Sequence, residues 1–282
     1  MKLISNYRCV IGEGPIWNET EGRLYYTNGL NNEICMLDVY TGKLDIRNVG
    51  TCISAFAFTK DNRLIVSKSD GVFILKNDNS TELLYDTEKY KIKLANDMKV
   101  GPDGKIYVGT QAEKRAGISD KVDGKLYSID SKGNVKVLLD NLMLSNGLEW
   151  SIDERFFYHT DSYTQTIKEY SYDKEKGDIK FTGRVVDVAG VDGFTVDQDN
   201  NILVACWACG HIAVIYTKKL KITSYIDVPA GIPTSCSFAG RNMELLTVVT
   251  ANYDTDIIKD VNAGFTFGYK PSVGGRKPYL FG

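Results

Sequence analysis

The chain has 282 residues, 43% of them hydrophobic and 25% charged, enough to bury a large core in one domain or two. A formal net charge of -2 gives no electrostatic footprint for nucleic acid or an anionic membrane surface. No apolar run reaches the roughly 18 residues of a membrane span, and Met1-Lys2-Leu3-Ile4-Ser5-Asn6-Tyr7-Arg8 lacks the apolar stretch of a signal peptide, so a cytoplasmic location is expected.

Six cysteines, at positions 9, 35, 52, 206, 209 and 236, show no framework spacing and read as buried or strand thiols. Cys206 and Cys209 form the one local pair, with His211 beyond it. Neither a helix start nor a second ligand pair accompanies them, which argues against a redox or zinc motif.

In chain order, one phrase recurs six times. Apolar strands begin at Leu24, Leu64, Ile106, Phe156, Ile202 and Leu245, each just after a polar turn such as Pro102-Asp103-Gly104 or Gln198-Asp199-Asn200. Those starts lie 40 to 50 residues apart, the period of a four-stranded β-propeller blade. Further strand signals fall between the copies, at 34–38, 71–75, 125–130 and 167–173. There is no long amphipathic helix and no Ser- or Gly-rich linker. The expectation is an all-β, six-bladed β-propeller forming a single domain over residues 1–282. Ring closure is expected from a segment around Leu3 to Cys9 pairing with strands after Gly264, because closure hides sheet edges. Phe265 to Tyr269 and Tyr279 to Phe281 are the apolar candidates there.

Each phrase also has a five-residue head that ends on an apolar residue before the turn. The heads open on Glu13, Ser54, Asn96, Asn146, Asp192 and Thr234. Innermost strands line a propeller's channel, so equivalent head residues face one another around its axis. All six carry side-chain oxygen. Carboxylates and carboxamides converging there repel one another or strand unpaired polar groups unless a cation or channel water satisfies them. Oxygen ligands suit calcium, magnesium or manganese, and zinc also accepts carboxylates. An incompletely ligated ion favours Lewis-acid hydrolysis of an ester or lactone, with Asp192 the candidate to take the proton of the attacking water. Asp97 is placed to orient a ligand from behind. A channel that is merely wet would also show polar heads, and Ser54 and Thr234 are read as channel lining. Serine-nucleophile chemistry is disfavoured: no Gly-x-Ser-x-Gly elbow occurs, and the two histidines are His159, in an apolar strand, and His211.

At these residues the chain resembles the SMP-30/gluconolactonase/luciferin-regenerating-enzyme (regucalcin) family. The matching stretches are Gly12-Glu13-Gly14-Pro15-Ile16-Trp17, Asn96-Asp97 with Pro102-Asp103-Gly104-Lys105, Ser145-Asn146-Gly147-Leu148-Glu149-Trp150-Ser151, Asp192-Gly193, and Thr234 to Gly240. The resemblance implies a six-bladed propeller with one divalent ion on its axis. It implies Glu13, Asn146 and Asp192 as metal ligands, Asn96 as a substrate contact, and Asp192 also as proton acceptor. Typical members hydrolyse sugar lactones. Two departures stand out. Leu94 falls where sugar-lactonase members often carry arginine, and Lys114, beside Glu113, falls where they carry a substrate-contacting glutamate. Those changes alter the sign and shape of hydrogen bonding at the substrate. The expected function is a divalent-metal-dependent lactonase acting on a small-molecule lactone, as a monomer or weak oligomer. A phosphoester or organophosphate hydrolase on the same metal, or a non-catalytic metal-binding regulatory protein, remains the alternative.

Overall fold

The computed structural model describes residues 1–282. Each copy of the repeated phrase folds into a four-stranded antiparallel sheet, and six such sheets stand as blades around one axis. The innermost strands are Gly12–Asn18, Ala55–Phe58, Ala95–Val100, Ser145–Trp150, Val191–Val196 and Pro233–Ala239, numbered here as blades one to six. Each pairs with the apolar strand that follows it: Arg23–Asn28, Leu64–Lys68, Ile106–Thr110, Phe156–Asp161, Asn201–Cys206 and Leu245–Thr250. These inner pairs are buried on both faces, which is why they read as nearly continuous apolar runs. The outer strands Leu44–Asn48, Thr81–Leu83 and Lys221–Asp227 contain no fully buried residue. No helix is long and apolar enough to cross a membrane.

The core lies between blades. Trp150 and Phe157 of blade four pack with Tyr107 of blade three, the Tyr107 and Trp150 rings meeting edge-on at 4.7 Å. Burying aromatic surface at such joints is what holds neighbouring sheets face to face. On the other side of the ring, Trp17 and Leu24 of blade one share a cluster with Phe238 and Leu246 of blade six.

Closure follows the expected route. The N-terminal strand Lys2–Ser5 becomes the outer strand of blade six, pairing Leu3 with Phe267 of Thr266–Tyr269. The segment Tyr279 to Phe281 does something else. After Tyr269 the chain runs beneath the channel as a strap, at the end away from the heads. It bridges Gly275 to Asp197 and Phe281 to Thr59, and the Gly282 N–H donates to Gly104 O at 3.1 Å. Lys277 pairs with Glu19, Tyr279 Oη donates to Glu154 at 2.8 Å, and Arg276 pairs with Glu149. Gly275 packs so closely on Phe238 that a Cβ would sit 2.2 Å from its ring. The strap therefore touches all six blades.

Glu149 is the strap's electrostatic anchor. Burial alone would raise its carboxyl, but Arg276 and Lys99 outweigh that and hold it below the usual range. Lys99 Nζ donates to Glu149 Oε2 at 2.9 Å and to Phe194 O at 2.7 Å. Removing one cation from a buried carboxylate leaves charge uncompensated. Arg276→Met is expected to lower unfolding free energy by roughly 2 kcal/mol, because Lys99 keeps Glu149 partly paired. A urea midpoint unchanged from wild type would show that the strap does not clamp the ring.

Candidate metal centre

The innermost strands do more than line the channel. In five blades the first inner strand shifts register at its head: between Glu13 and Ile16, Ala95 and Met98, Asn146 and Leu148, Val191 and Phe194, and Pro233 and Ser235. Such β-bulges re-aim side chains, and here they fall at the residues that open each phrase. In blade two, where no shift occurs, Ser54 lies just outside the strand.

The glycines after the heads have local reasons. A Cβ on Gly147 would lie 2.3 Å from the Phe194 ring and 2.5 Å from Asp192 O, and one on Gly193 would lie 2.2 Å from Ser235 Oγ. Adjacent inner strands approach too closely for any side chain. Gly14 instead takes φ +55, a conformation costly for other residues.

Most heads make the same contact. Ser54 Oγ donates to Ala95 O of the next blade at 2.7 Å. Asn96 Nδ2 donates to Ser145 O at 3.1 Å. Asn146 Nδ2 donates to Ser162 Oγ at 3.2 Å, which donates on to Val191 O at 2.9 Å. Thr234 Oγ donates to Gly12 O. Four of the six heads thus stitch their blade to the next one. Glu13 and Asp192 are the two that, as carboxylates, have no proton to donate.

Those two acids sit with Asn96 and Asn146 on the wall of a cavity of about 770 Å³ at the mouth of the channel. Asp97 faces the opposite way, into a smaller cavity of about 70 Å³ above Lys99, Glu149 and Arg276. Burial pushes the Glu13 carboxyl well up, and the charges of Asp192 and Asp97 push it further. Asp192 is raised by burial and then by Asp97, while Asn146 and the Gly193 N–H pull it back down. Glu13 and Asp97 keep some accessible surface, but it faces the narrow channel, so protein surrounds them and desolvation still dominates. Asp97 itself is raised by burial, against a lowering pull from Lys99.

Asp192 Oδ1 is fully buried and has no hydrogen-bond partner. The other buried side-chain atoms in that state, Tyr26 Oη, Tyr85 Oη and Trp150 Nε1, are neutral. Stranding a carboxylate oxygen is much the costliest of the four. The donor set therefore fits a hard divalent ion: Glu13 and Asp192 as anionic oxygens, and the Asn146 carbonyl oxygen, left over when its Nδ2 binds Ser162. No three His, Cys, Asp or Glu side chains form a metal-binding cluster anywhere in the chain.

Two expected substrate contacts fall elsewhere. Leu94 does not line the cavity. Its backbone, at φ +54, donates to Ser69 O and accepts from Gln111 N, tying blade two to blade three. Lys114 is exposed, its N–H bonded to Lys121 O, while Gln111 and Arg115 of the same loop line the cavity instead. Tyr163, Trp207 and Tyr253, which sequence reading missed, also line it. Their shared signal is position, each lying just past the end of its blade's second strand. His159 is buried in blade four with Nε2 2.8 Å from Ser145 Oγ, and burial lowers it to about 3. It is a neutral core residue. His211 packs against Tyr225, outside the cavity.

A six-bladed propeller with carboxylate and carboxamide side chains lining the mouth of its channel defines a recognisable class. The sequence pattern of the SMP-30/gluconolactonase/LRE-like region matches residues 11–252. The chain belongs to that family. Human regucalcin is 27% identical over 290 residues, covering 99% of this chain and 96% of its own. A Bacillus subtilis protein, YvrE, named as a candidate sugar lactone lactonase, is 28% identical over 288 residues, covering 99% of this chain and 97% of its own. The solved structure of a calcium-binding regucalcin from Agrobacterium tumefaciens superposes with a TM-score of 0.88 at 22% identity, covering 100% of this chain and 97% of that one. A luciferin-regenerating enzyme gives a TM-score of 0.87 at 25% identity, covering 97% and 96%.

The raised carboxyls set a sign. Their folded values lie above the unfolded ones, so in metal-free protein they favour folding below about pH 4 and oppose it increasingly as pH rises. A divalent ion should therefore raise the melting temperature of chelator-treated protein more at pH 7.5 than at pH 5. At a hundredfold excess over its dissociation constant the gain is about 2.7 kcal/mol. Asp192→Asn should stabilise the metal-free protein and cancel that gain. An equal metal response in wild type and Asp192→Asn would remove Asp192 from the ligand set.

Proposed function

We propose that the chain is a metal-dependent lactonase, opening a lactone to its hydroxy acid. The observation that carries this is the acidic pair Glu13 and Asp192 on the wall of an open cavity, with Asp192 Oδ1 buried and unpartnered. Family membership supports it, as does the lactonase name of the Bacillus relative. A divalent ion held by Glu13, Asn146 and Asp192 would polarise the lactone carbonyl and stabilise the oxyanion that develops on it. Calcium, zinc, manganese and magnesium are all compatible with the donors, and the calcium-binding regucalcin neighbour favours trying calcium first.

The protein's own residues supply the remainder. Asp192, whose carboxyl burial and the charge of Asp97 raise above the usual range, accepts a proton from the attacking water. Asn96 is fixed through Nδ2 on Ser145 O, so its carbonyl oxygen is left to accept from a substrate hydroxyl. Ser162 holds Asn146 by accepting from its amide, and this fixes which amide atom is free to ligate. Asp97, behind the ring, contributes negative charge to Glu13 and Asp192 without reaching the mouth cavity.

The test is lactone hydrolysis by chelator-treated protein with each metal restored in turn. Turnover should return with metal. Asp192→Ala should lose at least about a thousandfold in kcat, because ligand and base go together, with the melting profile still cooperative. Metal binding without turnover of any lactone would favour a regulatory metal-binding protein. Turnover of phosphotriesters in place of lactones would assign the same centre to phosphoester chemistry.

A further inference from the structure

The mouth cavity has two unlike sides. Six equivalent loops surround it, each following the second strand of its blade. In blades four, five and six these loops contribute Tyr163, Trp207 and Tyr253 to the lining, with Ser162 and Gln165 flanking Tyr163, and blade one continues the arc with Leu30. In blades two and three the equivalent loops contribute Ser69, Gln111 and Arg115. An apolar, largely aromatic arc thus faces a hydrogen-bonding, cationic one across the candidate metal centre.

The aromatic arc is built, not draped. The Trp207 N–H donates to Gly190 O at 2.6 Å. A Cβ on Gly190 would come within 2.4 Å of Trp207 O, so the two loops interlock. Tyr163 lies in a turn capped by Asp161, which accepts its N–H at 3.2 Å. Leu30 follows Gly29, which packs so tightly that a Cβ would lie 2.6 Å from Ile53 O. Before Tyr253, the Asn252 N–H donates to Val10 O at 3.0 Å. Yet Tyr163, Tyr253 and Leu30 remain 56%, 51% and 51% exposed. Fixed backbones that hold large apolar side chains open to solvent around one cavity form a preorganised binding wall. At about 770 Å³ the cavity lies high in the range of roughly 300–1,000 Å³ that takes drug-sized ligands. A polyhydroxylated six-carbon lactone would leave much of that volume to water.

We infer that the substrate is an amphipathic lactone, its ring at the metal centre, an aliphatic or aryl substituent against Tyr163, Trp207 and Tyr253, and its acceptor-rich edge towards Arg115. This rests on the lactonase reading for the reaction, while the apolar contact itself needs no metal. The chemistry is unchanged. Water adds to the carbonyl carbon, the ring C–O bond breaks, and the alkoxide leaving group takes a proton to give the hydroxy acid.

The experiment has two arms. In the first, metal-loaded protein is given δ-lactones with 6-alkyl chains of increasing length, with glucono-δ-lactone for comparison. The value of kcat/KM should rise about two- to threefold per methylene, somewhat less than full burial would give. Trp207→Ala and, separately, Tyr253→Ser should each reduce the ratio of long-chain to short-chain kcat/KM about tenfold, the loss of roughly 60 Å² of apolar contact. A flat series, or glucono-δ-lactone as the best substrate, overturns the inference and leaves the lactonase reading standing. In the second arm, calorimetry measures binding of the matching 6-alkyl δ-lactams to metal-free protein. If no lactone turns over, the lactonase reading fails, and affinity that still climbs with chain length supports the amphipathic wall. Lactam affinity independent of chain length overturns it.

Discussion

The arrangement on which the rest depends is a ring of blade-to-blade hydrogen bonds made by the residues that open each innermost strand. Ser54, Asn96, Asn146 through Ser162, and Thr234 each tie their blade to the next. A propeller assembled from separate sheets needs such ties at its axis, where side-chain packing gives way to channel. The ring is complete except at Glu13 and Asp192, where the side chain is an acceptor only. A neutral donor there, of the kind found in the other blades, would finish the stitching and remove the site. The two gaps place both acids on the lining of the mouth cavity, with Asp192 Oδ1 left without a partner. They also explain why the positions belong to acids: structural needs alone would favour serine or threonine, as in blades two and six.

Much of this was legible in the sequence because it rests on periodicity. The inner strand pairs are buried on both faces, so they print as apolar runs at a regular interval, and Asn146 or Asp192 stands at a fixed offset from them. The outer strands were not visible. Thr81–Leu83 and Lys221–Asp227 lie half in solvent, and nothing about their burial forces alternation. Tyr279 to Phe281 was readable only as apolar. Its role as part of a strap depends on Gly275 fitting against Phe238 and Arg276 reaching Glu149 from more than a hundred residues away in the chain.

The cavity wall marks the same boundary. Counting along the chain placed Lys114 beside the substrate, but the loop after Thr110 makes a helical turn, with Ala116 N bonded to Ala112 O and Ile118 N to Glu113 O. That turn carries Lys114 outward and brings Arg115 to the cavity. Leu94 was likewise placed by its distance from Asn96, yet its left-handed backbone spends the residue on joining two blades. Offsets within a strand survive folding because the pleat fixes them. Offsets into a loop do not.

The channel also explains how three carboxylates tolerate one another. Glu13, Asp97 and Asp192 all come from innermost strands, and each is raised by burial and then by an acidic neighbour, which for Asp97 is Glu149. Directly below, Lys99 and Arg276 share the single carboxylate of Glu149, so the plug under the acids carries one net positive charge. Lys99 is felt as far up as Asp97, whose carboxyl it pulls down. With all three acids ionised the column would keep two uncompensated negative charges, the number that a divalent ion at the proposed centre would balance. A monovalent ion would leave the stack negative. The strap that closes the bottom of the propeller thus also supplies, through Arg276, part of the positive charge beneath the acids of the channel.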